Sequence, residues 1–165
     1  MMKLDWPFVV LAALLLVLAG CNLDINNDLI RAAEAGDAAK IRSLLKGGLF
    51  SGRADIEARE AHGCTALYFA AYKGHREAVQ ALIENKADVN ARCNSKYTPL
   101  HAAAMGGQKD IAELLISNGA DINAVNVEGH TPFREAQLRG NTEVADFLAS
   151  KAEELKRAND AGNTP

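Results

Sequence analysis

Apolar residues recur at three- and four-residue intervals in short bursts along this chain. Val79, Leu82 and Ile83 form one burst, Ile111, Leu114 and Leu115 a second, and Val144, Phe147 and Leu148 a third. That spacing places each trio on one face of a helix. A different kind of burst precedes each of them. In the clearest, Leu100, Ala103 and Ala104 make a narrow face of small side chains that lets a neighbouring helix approach closely. Thr98 and Pro99 mark its start: the hydroxyl can cap, and the proline gives up an N–H that would be unpaired in the first turn. Gly74, Gly107 and Gly140 stand between the two kinds of burst and suit the positive-φ residue that ends a short helix and turns the chain back. The pattern predicts pairs of short antiparallel helices.

The pattern is also periodic. Thr65, Thr98 and Thr131 are 33 residues apart, and so are the three glycines, so two residue types keep one period over three copies. The copies read Thr65-Ala66-Leu67-Tyr68, Thr98-Pro99-Leu100-His101 and Thr131-Pro132-Phe133-Arg134. They are punctuated by Ala87-Asp88-Val89-Asn90 and Ala120-Asp121-Ile122-Asn123, stretches that favour turns. Motif and period together resemble the ankyrin repeat from about Asn27 to about Glu154. The resemblance implies an all-α solenoid of about four helix-turn-helix repeats with projecting hairpin loops, at 27–61, 62–94, 95–127 and 128–158.

The terminal copies differ as solenoid caps should. In the first, Leu29, Ile30, Ala32 and Ala33 precede Ile41, Leu44 and Leu45, and Gly47-Gly48 reads as a helix stop. Asp55 lies 33 residues before Asp88 but Gly36 lies 38 before Gly74, which places a five-residue insertion between Gly47 and Arg53. In the last, Gln137 replaces Ala71 and Ala104, and the chain runs into the charged segment Lys151 to Arg157. Residues 159–165 read as a disordered tail.

Ahead of the repeats, Lys3 is followed by an uncharged run of 14 residues from Trp6 to Ala19, short for a membrane span and suited to a signal peptide over 1–20. It ends in Leu18-Ala19-Gly20-Cys21, which resembles the bacterial lipoprotein box; Asp5 beside Lys3 departs from the usual positive start. The resemblance implies cleavage before Cys21, acylation of Cys21 with chains such as palmitate, and, with Asn22 rather than aspartate next, sorting to the outer membrane facing the periplasm. Residues 21–26 would then be a tether of about 20 Å at full extension.

Composition narrows the function. The chain has 165 residues, 48% apolar but only 5% aromatic, with a net charge of −3 and no basic stripe, which argues against nucleic acid as a partner. Of the histidines, His101 and His75 occupy motif positions, while His62 and His130 fall near hairpin tips with no ligand cluster at their sequence spacing. No nucleophile motif or phosphate loop is present, so neither an enzyme, a metal nor a cofactor is expected.

What remains is surface, and the resemblance implies a non-enzymatic module, read as a monomer, that binds a protein partner. Larger side chains at variable positions mark the candidate contact residues: Phe69, Tyr72 and Lys73 on one first helix, Met105 on the next, Glu135, Leu138 and Arg139 on the last, and Arg92, Lys96, Tyr97 and His130 on the hairpins. Tyr68 replaces the motif histidine, and Lys96 replaces the turn glycine seen at Gly63 and Gly129. Cys64 and Cys93 fall on hairpins of adjacent repeats; a disulfide, two free thiols and a redox-active pair all stay open. For the partner, the resemblance offers a secreted toxin such as a phospholipase effector, neutralised by an immunity lipoprotein, or a periplasmic catalase in oxidative-stress defence. A structural envelope lipoprotein is the alternative of another class. The short tether favours an antagonist working close to the bilayer.

Overall fold

The computed structural model describes residues 25–48 and 52–162. Eight helices occur among these residues: α1 (25–35), α2 (Ala38–Lys46), α3 (Ala66–Lys73), α4 (Arg76–Glu84), α5 (Pro99–Gly106), α6 (Lys109–Ser117), α7 (Pro132–Leu138) and α8 (Thr142–Gly162). They form four consecutive pairs. The first helices of successive pairs pack on one another, α3 on α5 on α7, and the second helices stack in a parallel layer, α2 on α4 on α6 on α8. This is the all-α solenoid of helix-turn-helix repeats that the resemblance implies. Among the described residues there is no strand; a lone antiparallel bridge joins Arg59 and Thr65 at the base of the first hairpin.

Alanines set the spacing of the first layer. Ala66, Ala70 and Ala71 of α3 and Ala102, Ala103 and Ala104 of α5 are fully buried, and a chain of small side chains brings backbones close. At Gly106 the approach is tightest: a Cβ there would run into the backbone carbonyl oxygen of Tyr72 on α3. The second layer contributes the larger core groups, among them Ile41, Leu45, Val79, Leu82, Ile111, Leu115 and Leu148.

The Thr-Pro start works as predicted in the third repeat. The Thr98 hydroxyl accepts the His101 N–H, while His101 Nδ1 lies 3.2 Å from the Thr98 amide and 2.9 Å from its hydroxyl. His101 Nε2 then donates to the His130 carbonyl at 3.0 Å, tying the cap to the next hairpin. In the second repeat Tyr68 stands at the His101 register, and the buried Thr65 hydroxyl has no hydrogen-bond partner.

Two boundaries differ from the sequence expectation. Ile25 and Asn26, assigned to the tether, are already helical in α1. The tail expected from Asn159 is helical as far as Gly162, because no proline interrupts α8 and its distal part is rich in Ala, Glu, Lys and Arg, all strong helix formers. The signal peptide, Cys21 and residues 49–51 of the insertion lie outside the described residues.

Candidate partner-binding site

Three hairpins project between the repeats, at 60–64, 93–97 and 126–130. Each is closed by one repeated bond, Glu60 N–H to Cys64 O, Cys93 N–H to Tyr97 O and Asn126 N–H to His130 O. Neighbouring tips are joined through Asn94 N–H to His62 O at 2.9 Å and Val127 N–H to Ser95 O at 3.1 Å. Arginines staple them further: Arg59 donates to the carbonyls of Gly63 and Arg92, and Arg92 donates to that of Val125.

The first and third hairpins are also wrapped by a side chain. Glu60 accepts the N–H groups of His62 and Cys64, and Asn126 accepts those of Glu128 and His130. Burial alone would raise the Glu60 pKa, but these amide donors and the His62 ring, 2.9 Å away, outweigh it and hold the carboxyl below its usual range.

A cavity of about 250 Å³ opens between the first two hairpins and α3, walled by Tyr68, Phe69 and Tyr97 with Glu60, His62 and Ser95. Cys64 and Cys93 also line it and are joined by a disulfide, their Cα atoms 4.4 Å apart. Tyr68 and Phe69 meet edge to face with centroids 5.5 Å apart. Burial pushes the phenols of Tyr68 and Tyr97 above their ordinary pKa, so both remain neutral donors at physiological pH. A second cavity of about 400 Å³ lies on the other side of Phe69, against α1, and shares Glu60, His62 and Phe69 with the first. Together they make a groove running from α1 to the second hairpin.

Apart from Glu135 and His130, the predicted contact residues divide into three groups. Phe69 and Tyr97 line the groove. Tyr72, Met105 and Leu138 occupy one register near the ends of α3, α5 and α7; Tyr72 and Leu138 are exposed and Met105 half-buried, with the exposed Lys73 and Arg139 alongside. Lys73 Nζ sits 5.9 Å from the Tyr72 ring centroid. Arg92 and Lys96 are exposed on the second hairpin, where Arg92 spends a donor on Val125 and Lys96 adopts φ 62° in the register of Gly63 and Gly129.

Glu135 overturns its expected exposure. Only 3% of it is accessible, because it faces the third hairpin rather than solvent. Its Oε1 accepts from Asn126 Nδ2 at 3.0 Å and Tyr97 OH at 3.2 Å and lies 3.1 Å from His130 Nδ1. His130 also lies 3.3 Å from Glu128, so two carboxylates accompany this histidine where the sequence spacing indicated none. Glu128, His130 and Glu135 could each offer one atom to a cation, the three lying within 4.8 Å of one another. Sequence reasoning also passed over Glu60, Ser95 and Asn126; their 33-residue register with Cys93, His62 and Glu128 was the available signal.

The geometry has its counterpart in known proteins. A family model described as ankyrin repeats matches three overlapping stretches, 11–93, 29–126 and 90–160. The chain belongs to the ankyrin-repeat family. Among curated relatives, ankyrin repeat domain-containing protein 29 of Danio rerio is 41% identical over 59 residues, covering 36% of this chain and 18% of its own length. The Homo sapiens protein of that name is 42% identical over 52 residues, covering 32% of this chain and 16% of itself. This ankyrin chain thus matches less than a fifth of the length of either relative. The ankyrin repeat is generally a non-enzymatic interaction fold, and the groove fits that description.

Proposed function

We propose that this ankyrin protein binds a protein partner through the groove around Phe69, with the row Tyr72, Met105 and Leu138 extending the contact. The observation that carries the reading is the placement of Phe69. Its register in the next two repeats holds Ala102 and Glu135, both buried, whereas Phe69 is half-exposed and lines both cavities, the first together with Tyr68 and Tyr97. Aromatic side chains offered this way are the usual anchors of interfaces.

In the same reading the protein is a lipoprotein acylated on Cys21 and held at the periplasmic face of a bacterial outer membrane. The Leu18-Ala19-Gly20-Cys21 box supports the anchor, and the Cys64–Cys93 bond supports an oxidising compartment. None of the described helices is long and apolar enough to cross a membrane; attachment rests on the acyl chains. The groove reaches α1, the helix nearest Cys21 in sequence, which favours a partner met close to the bilayer, such as a membrane-attacking toxin.

A photo-crosslinking side chain at position 69 or 72, expressed in intact bacterial cells exposed to such a toxin, tests the site. One shared adduct from both positions and none from the exposed Glu113 of α6 supports the groove. Equal labelling from Glu113 sinks it. Cys21→Ser should release the protein from the membrane fraction, and unchanged fractionation would contradict the anchor.

A further inference from the structure

The second hairpin is built differently from its neighbours. In register with Glu60 and Asn126 it carries Cys93. Glu60 and Asn126 each wrap their own turn by accepting two backbone N–H groups. Cys93 has no such acceptor, and among the described residues no side chain accepts the N–H of Ser95 or Tyr97. The same turn places Lys96 at φ 62°, where the other two hairpins use glycine, so its backbone adopts a conformation that a side chain disfavours. The wrapping bonds are replaced by a covalent one, from Cys93 to Cys64 at the foot of the first hairpin.

That bond also forms part of the groove wall. Cys64 and Cys93 are 7% and 8% exposed, and both line the open cavity with Tyr68, Phe69 and Tyr97, so a small thiolate entering the cavity comes up against the bonded pair. Tyr97, the last residue of the second hairpin, owes its position partly to the turn before it.

We propose that the Cys64–Cys93 disulfide is a reducible clamp that sets the shape of the second hairpin and thereby of the groove. The oxidised protein has the groove formed; a dithiol reductant releases the hairpin. In the exchange, a thiolate of the dithiol attacks one sulfur of the bond and forms a mixed disulfide, expelling the other cysteine as a thiolate that takes up a proton. The second thiol of the reductant then displaces the first cysteine. Two electrons pass from the dithiol to the protein, leaving two protein thiols and a cyclic disulfide of the reductant. The inference deepens the binding reading by adding its regulation.

Hydrogen exchange followed by mass spectrometry, on the folded oxidised protein and after addition of dithiothreitol, tests the clamp. The expected result is exchange at least ten-fold faster in peptides covering 93–98, with α6 and α8 unchanged, and recovery on reoxidation. Unchanged exchange at 93–98 in the reduced protein overturns the clamp, as does failure of dithiothreitol to reduce the bond in the native state. Acceleration spread evenly over all repeats also overturns it, since the bond would then be a staple of the whole stack. The Cys64→Ser/Cys93→Ser double variant should reproduce the reduced pattern; if it fails to fold, the reduction experiment decides alone. The readout needs no partner, so failure of the clamp and failure of the binding site are separate results.

Discussion

The hydroxyl of Tyr97 donates to Oε1 of Glu135 at 3.2 Å, across 38 positions of sequence and from one repeat to the next. Glu135 is a buried carboxylate on α7, and Tyr97 closes the second hairpin, so the bond couples the groove wall to the repeat behind it. Tyr97→Phe keeps the ring and removes the donor. Because Asn126 and His130 still face Glu135, the loss should be about 0.5 to 1.5 kcal/mol in urea denaturation. No loss at all would mean that the bond contributes nothing in solution.

The orphan hydroxyl of Thr65 gives a prediction of opposite sign. Tyr68→His would place an imidazole where His101 completes the cap of the third repeat. Stability should rise by about 1 kcal/mol, the usual worth of a helix cap, while partner binding weakens because Tyr68 leaves the cavity wall. A drop in the melting temperature would show that the tyrosine's packing outweighs the missing cap.

Burial holds His101 below the ordinary histidine pKa, partly offset by its bond to the His130 carbonyl and by the Glu135 charge. The unfolded chain therefore binds the proton more readily than the folded one. The stability this group contributes is fully present above its unfolded value of 6.5 and is lost as the pH falls below it. Glu60, also held low, acts in the same direction but only below its own reference of 4.5. Urea midpoints should thus fall between pH 7.5 and pH 5.5, and His101→Gln should flatten that slope. Equal slopes in the two proteins would remove His101 as the cause.

Gly106→Ala tests the close approach of α3 and α5. Alanine favours helix over glycine by about 1 kcal/mol, yet here the added Cβ meets the Tyr72 carbonyl, and backbone cannot swing aside as a flexible side chain can. The expected outcome is net destabilisation of about 1 to 3 kcal/mol. A more stable variant would mean that the two helices are farther apart than described.

The fold was legible because ankyrin architecture is written in local rules repeated at a fixed interval. Thr98, Pro99 and Gly107 each act on their own turn, and Ala103 and Ala104 on the next helix, so spacing alone located most helices. Helix ends were less legible: α8 continues through Asn159 to Gly162, where closeness to the chain terminus had pointed to a disordered tail. The site was partly legible for a different reason. Register identifies which positions lie beside the hairpins, Phe69 and Tyr97 among them. It does not say what a side chain meets there. Glu135 holds a surface-like residue type at a position that folds inward, where Asn126, Tyr97 and His130 supply the donors that make its burial tolerable. Those partners come from two other segments, and no local pattern announces them.

Phe69 is proposed to anchor a protein partner in the groove. The most direct test is the affinity of the crosslinked partner for the Phe69→Ala variant, measured by titration calorimetry beside an exposed control such as Gln80→Ala. Melting curves of both variants confirm that each stays folded at the temperature used. At least a ten-fold loss of affinity, about 1.4 kcal/mol, is expected for Phe69→Ala and none for Gln80→Ala. An unchanged dissociation constant in the folded Phe69→Ala protein would contradict the account and place the interface elsewhere on the solenoid.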